Sequence, residues 1–167
     1  MGLFRFGVTV NDDLTFGQPE RDAAQALIEL ALAEDLHERG DLTSEALIDP
    51  DAEAEIRVVA RETGVLAGSP AAALVFEILD PPDRCAQWQS VVEDGAPLKA
   101  GTEVAVVSGH IRSLLTGERT ALNLLTHLSG VATLTRRFVD AAADTKARIL
   151  DTRKTLPGYR VLQKYAV

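Results

Sequence analysis

A short apolar run, Ala147-Arg148-Ile149-Leu150, leads into Asp151-Thr152-Arg153-Lys154-Thr155 and then Pro157-Gly158. This junction constrains the fold more than any other stretch. Four residues bounded by turn signals suit a buried central strand of a parallel sheet. A helical pattern resumes from Gly158 to Tyr165. Strand, polar loop and helix make the opening unit of an α/β barrel, whose sites lie on loops at the carboxyl ends of the strands. One unit cannot close a barrel. The 167 residues are therefore expected to hold an α+β sandwich followed by the first elements of an incomplete α/β barrel, the first part of a longer polypeptide.

The loop also carries chemistry. Asp151, Thr152, Arg153, Lys154 and Thr155 offer one carboxylate, two hydroxyls, a guanidinium and an ammonium. Arginine presents a rigid fork that matches a carboxylate or phosphate, and lysine a mobile point charge. The plainer reading is a solvated loop in which Asp151 pairs with its neighbours. The threonines either donate to an anion or cap local backbone groups.

Charge distribution favours a small anion over a long one. Residues 1–80 hold 17 acidic and 5 basic residues, and residues 81–167 hold 8 acidic and 12 basic. Nucleic acid is not expected as a partner, because its phosphates would be repelled by the first half. A focused anion site in the second half fits the balance. With 46% hydrophobic and 25% charged residues, the composition is that of an ordinary globular protein. The single cysteine, Cys85, cannot form an internal disulfide, which suits a reducing cytoplasm. No apolar run reaches the roughly 18 residues of a membrane span. Residues 1–18 lack a signal-peptide pattern and are expected to form a flexible extension.

Along the rest of the chain, Pro19, Glu20 and Asp22 open a helix over 20–36. Its apolar face is Ala23, Leu27, Leu30 and Ala31, widened by Ile28 and Leu32, and is expected to pack against a sheet. Alternation predicts a strand over 54–61. Gly64 and Gly68 bracket the apolar Val65-Leu66-Ala67, and a helix over about 70–79 ends at Pro81-Pro82. Strands follow over 86–92 and 103–108, joined by turns at Glu93-Asp94-Gly95 and Lys99-Ala100-Gly101. From Leu114 to Ala143 the pattern is helical. Leu122, Leu125, Leu128, Ala132, Thr135 and Val139 form one stripe, which Ala121, Leu124, Val131, Leu134 and Phe138 broaden; this implies burial on more than one side. Ser129-Gly130 marks a close approach, a break or a bend. These elements divide the chain into an extension over 1–18, a sandwich domain over 19–113, and linking helices with the first barrel unit over 114–167.

Glu118-Arg119-Thr120-Ala121-Leu122-Asn123-Leu124-Leu125 followed by His127-Leu128-Ser129-Gly130-Val131-Ala132-Thr133 closely resembles the central segment of quinolinate phosphoribosyltransferases, also called carboxylating nicotinate-nucleotide pyrophosphorylases. Thr145 through Gly158 and Leu162-Gln163-Lys164-Tyr165-Ala166-Val167 continue the resemblance in order. Weaker matches lie at Glu34-Asp35-Leu36, Gly40-Asp41-Leu42-Thr43, Gly64-Val65-Leu66-Ala67-Gly68 and Glu93-Asp94-Gly95. The resemblance implies transfer of phosphoribose from phosphoribosyl pyrophosphate, with Mg2+, to quinolinate. Carbon dioxide is then lost, and nicotinate mononucleotide and pyrophosphate result. It implies that Arg153 grips a substrate carboxylate and that Lys154 is a catalytic cation beside it. Thr152 and Thr155 are implied as further donors. Arg119 is implied to reach the substrate site of the other subunit of a homodimer. Further site residues are expected from later barrel strands, so these 167 residues alone are expected to be inactive. The competing class is a noncatalytic relative, such as a molybdenum-transport-associated barrel protein, or a structural half that needs a partner chain.

The remaining candidates rank lower. Without the resemblance, Arg119 reads as a surface residue in the first turn of its helix, where the dipole disfavours a cation and an external anion would explain it. Asp151 either orients Arg153 or accepts backbone hydrogens. Arg148 and Lys164 are expected to face outward or support the loop. His37 and His110 are expected at the surface or in turns, and His127 as a packed, hydrogen-bonded helix residue. No metal ligands are assigned, since the histidines and Cys85 lack the company a site needs. There is no glycine-rich nucleotide loop. Lys99, at a turn between strands, resembles the modifiable lysine of a lipoyl or biotin carrier but lacks its flanking residues.

Overall fold

The computed structural model describes residues 15–37 and 39–167. Residues 1–14, which include most of the expected extension, lie outside the described residues. The first helix, α1, spans Gln18–Leu36. Glu20 reaches back to accept from the Gly17 amide at 3.0 Å, which satisfies one of the amides that a helix start leaves unpaired. Its buried seam is Ala24, Ile28 and Leu32, with Ala23 and Leu27 alongside. The expected face is therefore rotated, and Leu30 points outward. The helix packs on other helices and not on a sheet, because α3 and α4 already occupy the sheet's inner face.

A six-residue helix, α2 (Leu42–Leu47), follows. Strand β1 (Glu53–Val59) alternates as the sequence predicts: Glu53, Glu55 and Arg57 face water, and Ala54, Ile56 and Val58 face the core. After the two-residue β2 (Gly64–Val65), helix α3 (Ser69–Leu79) starts at Gly68, whose φ of 94° requires glycine. A Cβ there would also meet Leu128 Cδ1 at 2.6 Å. Strands β3 (Gln87–Ser90), β4 (Pro97–Leu98) and β5 (Glu103–His110) complete two antiparallel sheets, ordered β1-β5-β3 and β2-β4. The turns before β4 and β5 use Gly95 and Gly101, both at positive φ.

Strand β5 runs directly into α4 (Ile111–Ala141), a single helix of 31 residues. Ser129-Gly130 neither breaks nor bends it out of helical pattern; the close approach expected there is made by Ser129. Its hydroxyl accepts from the Ala67 amide at 3.1 Å and donates to the Ala67 carbonyl at 3.2 Å. One turn on, Thr133 Oγ1 accepts from the Val65 amide at 2.9 Å. Two hydroxyls on one helix face thus satisfy backbone groups of Val65, in β2, and of Ala67 just beyond it. Ala121, Leu124, Leu125, Leu128 and Ala132 are buried, but Leu122, Leu134, Phe138 and Val139 remain exposed. The broader burial expected for this helix is not found among the described residues.

The expected strand over 147–150 is absent. Residues 147–150 have no ladder partner, and Leu150 is 66% exposed. A strand is defined by its hydrogen-bonded neighbour, and among the described residues none lies beside this run. Among the described residues the architecture is α+β with no closed barrel. The last helix, α5 (Arg160–Tyr165), packs on α1 and α4.

Candidate active site

Every side chain of the loop over 151–155 except Thr155 is exposed. Residues 146–164 carry six basic side chains against one acid, Asp151. That acid does not orient Arg153. It pairs with Lys164 Nζ at 2.6 Å, so α5 holds the start of the loop. Thr152 Oγ1 accepts from the Lys154 amide at 3.1 Å, and Thr155 Oγ1 from Arg160 Nε at 3.5 Å. Both hydroxyls therefore serve the loop's own geometry. Among the described residues, the Arg153 and Lys154 side chains have no acidic partner. Two adjacent cations on a turn shaped by its own hydrogen bonds can receive an anion without first breaking an internal pair.

The helix behind the loop is fastened at two points. His127 on α4 lies edge-on to Tyr159, with ring centroids 4.8 Å apart, and its Nε2 lies 2.8 Å from the Gln163 amide. This is the packed, hydrogen-bonded role expected of it. Tyr165 donates to Asp94 Oδ2 at 2.8 Å, while the same carboxylate accepts from the Gly68 amide at 2.6 Å and the Ser69 amide at 3.0 Å. Burial, then the Asp94 bond, pushes the Tyr165 phenol above its usual range, so it remains a donor at neutral pH. Asp94 thus caps α3 and ties α5 to the sheet layer. The sequence around Asp94 shows only a turn, because its three donors come from residues 25 to 71 positions away.

Arg119 lies on α4. It sits two turns beyond Ile111, past the reach of the helix dipole, so the first-turn argument for an anion does not apply. Its side chain is 74% exposed, and Nη1 donates to Asp35 Oδ1 at 3.0 Å. On the same face of α4, Thr116 donates to Asp41 Oδ2 at 3.2 Å. Arg112 donates to the Ile48 and Glu45 carbonyls at 2.9 and 3.0 Å. The i, i+4, i+7 spacing puts all three on one face, where they fix both ends of α2 and the end of α1. Asp41 caps α2 by accepting from the Ser44 amide at 3.1 Å and hydroxyl at 2.6 Å. The Ser44 hydroxyl, then its amide, hold the Asp41 carboxyl below the usual range. No hydrogen bond or ion pair among the described residues joins Arg119 to the 151–155 loop.

Arg148 and His37 are exposed as expected. His110 precedes α4 at the strand–helix junction, and its Nδ1 is buried without a partner among the described residues. A groove of about 770 Å³ opens between the sheet and the middle of α4 and is lined by Ile56, Val58, Trp88, Val107 and Leu125. Neither Arg119 nor the loop lines it. Among the described residues, no group of three His, Cys, Asp or Glu side chains is placed to hold a metal ion, and no helix is long and apolar enough to cross a membrane.

A family model described as quinolinate phosphoribosyl transferase, N-terminal domain, matches residues 41–129, and one described as the C-terminal domain matches residues 131–167. The chain is 49% identical over 135 residues to a probable carboxylating nicotinate-nucleotide pyrophosphorylase of Synechocystis sp., covering 81% of this chain and 44% of that protein. It is 47% identical over 148 residues to a carboxylating nicotinate-nucleotide pyrophosphorylase of Mycobacterium leprae, covering 89% of this chain and 52% of that protein. The solved nicotinate-nucleotide pyrophosphorylase of Francisella tularensis superposes with a TM-score of 0.79 at 36% identity, over 87% of this chain and 51% of that one. The chain spans about half the length of the curated relatives it matches.

Proposed function

The chain belongs to the quinolinate phosphoribosyltransferase family, and from that membership we propose that the full-length protein forms nicotinate mononucleotide from quinolinate and phosphoribosyl pyrophosphate. The observation that carries this reading is the 151–155 loop, with Arg153 and Lys154 exposed and, among the described residues, free of acidic partners. Quinolinate has two carboxylates beside a ring nitrogen. A guanidinium fork can grip one of them and orient the ring so that its nitrogen faces the anomeric carbon. Bond formation from nitrogen to that carbon breaks the carbon–oxygen bond to pyrophosphate, which leaves with the electron pair. The carboxylate next to the now cationic nitrogen departs as carbon dioxide, and its bonding electrons remain on the ring carbon, which takes up a proton.

In this reading Arg153 binds quinolinate, Lys154 adds positive charge for carboxylate or phosphate, and Thr152 and Thr155 set the shape of the turn. Arg119 acts in the site of a second copy, which accords with the lack, among the described residues, of any hydrogen bond or ion pair between it and the loop. The domain division at 19–113 and 114–167 belongs to the same proposal. Magnesium enters as the counter-ion of phosphoribosyl pyrophosphate, that is, as substrate. Among the described residues the carboxylates form no cluster suited to holding it, and none of them is assigned to it.

The test is an assay of nicotinate mononucleotide formation from quinolinate, phosphoribosyl pyrophosphate and magnesium. A protein of the relatives' full length carrying these 167 residues should turn over, and Arg153→Ala in it should not. The 167-residue chain by itself should form no product, because no wall among the described residues closes over its exposed loop to exclude water. Steady turnover by this chain alone would refute the proposed architecture of the site.

A further inference from the structure

We propose that Asp35 is a positioning residue for Arg119, holding one corner of its guanidinium so that the remaining donors face outward to receive the substrate anion. This rests on the role assigned to Arg119 above. An ion pair so open to solvent adds little to folding stability, which leaves its geometry as the feature to explain. Asp35 is the fixed side of the pair. Its side chain is only 27% exposed, against 74% for Arg119. It stands in the last turn of α1, at the negative end of that helix, where the backbone favours a base and α1 has none. The acid is therefore poorly placed for its own helix, and Arg119 supplies the compensating cation.

Asp35 belongs to a helix that packs directly on α3, α4 and α5. Thr116 and Arg112 fasten the two ends of α2 to the face of α4 that also carries Arg119, and α1 enters this seam with Asp35 at its end. Arg119 is the outermost rung of the three. Arginine has five N–H donors in a rigid plane. One is used by Asp35 Oδ1, and the others remain available on a side chain that has lost part of its rotational freedom before binding. A longer-lived orientation lowers the entropic cost of catching a carboxylate.

The test uses the full-length protein and steady-state kinetics. Asp35→Ala should raise KM for quinolinate about threefold to tenfold, the range set by one hydrogen bond. KM for phosphoribosyl pyrophosphate, kcat and the melting temperature should stay near their parent values. Asp35→Asn, which keeps an acceptor but not the charge, should fall between parent and Ala. In an Arg119→Ala background, Asp35→Ala should add nothing further. An unchanged or lowered KM in Asp35→Ala overturns the inference, as does an equal effect in the absence of Arg119 or a loss confined to stability. If Arg119→Ala itself leaves KM for quinolinate unchanged, the assigned role of Arg119 fails, and the inference falls with it. If only the Asp35 variants are silent, the inference alone falls.

Discussion

The seam between residues 35–48 and α4 differs sharply from the segment over 142–158. In the seam, Asp35, Asp41, Arg112, Thr116 and Arg119 all find partners, and those partners lie 3 to 84 positions away in sequence. In the later segment, hydrogen bonds are local, as with Thr145 to the Ala142 carbonyl and Lys154 to Thr152. Cations there outnumber acids, and among the described residues Arg153 and Lys154 meet none. Long-range pairing is what folding uses to fix a shape. Local pairing with free charge is what a site uses to stay ready for a ligand. The first region therefore reads as structure and the second as chemistry, and Arg119 stands at the edge of the first with most of its donors unused.

The largest test of that contrast asks whether a second copy completes the open region. Full-length Arg119→Ala, which keeps only residual turnover, and Arg153→Ala, which keeps none, are mixed as folded proteins and allowed to exchange subunits. If Arg119 serves the partner's site, each mixed dimer has one intact site, and random exchange should restore roughly a quarter of parent activity. If Arg119 serves its own subunit, every mixed site carries one defect and no activity returns. No recovery after verified exchange would put both arginines in one subunit's site.

Next in size is a pair of stability measurements. Leu128 is fully buried against Gly68 and the rest of the core. Leu128→Ala should cost about 2–5 kcal/mol by urea unfolding, whereas Arg153→Ala should change stability by less than about 0.5 kcal/mol. Comparable losses from both would erase the distinction between the regions. Binding should reverse the order. Arg153→Lys keeps the charge but not the fork, so quinolinate affinity measured by calorimetry should fall by about 1.5–3 kcal/mol. An unchanged dissociation constant would remove Arg153 from the substrate.

The same contrast explains what the sequence could reveal. Helices α1, α3 and α4 and strands β1, β3 and β5 follow periodicity and turn glycines, signals carried by residues close together in the chain. The loop was readable because Asp151 to Thr155 is contiguous. Helix α2 and the β2–β4 pair are too short for periodicity; they exist through Arg112, Thr116, Ser129 and Thr133, all on a helix far along the chain. The run over 147–150 has the composition of a strand but no neighbour to pair with, and composition cannot supply one. Asp35 and Asp94 looked like unremarkable acids because their partners lie 84 and up to 71 positions away.

The smallest expected effect probes the seam itself through Asp41. Its carboxylate accepts from the Ser44 hydroxyl and amide and from Thr116, and these bonds hold its pKa below the ordinary value. A carboxyl whose pKa is lower folded than unfolded contributes stability that is fully present above the unfolded value near 3.9. That contribution is lost as pH falls through the folded value, since protonation then occurs in both states. Asp41→Ala should cost about 1 kcal/mol near pH 7, the usual worth of a helix cap, and Asp41→Asn only a few tenths, since an amide oxygen can still accept. The gap between parent and Asn should narrow as pH drops below about 4, where the parent loses its charge-assisted bonds. Urea melts at pH 7 and pH 3 would show it. A gap that persists unchanged at pH 3 would mean that the Asp41 charge contributes nothing to the seam, and that its hydroxyl and amide contacts hold α2 regardless of protonation.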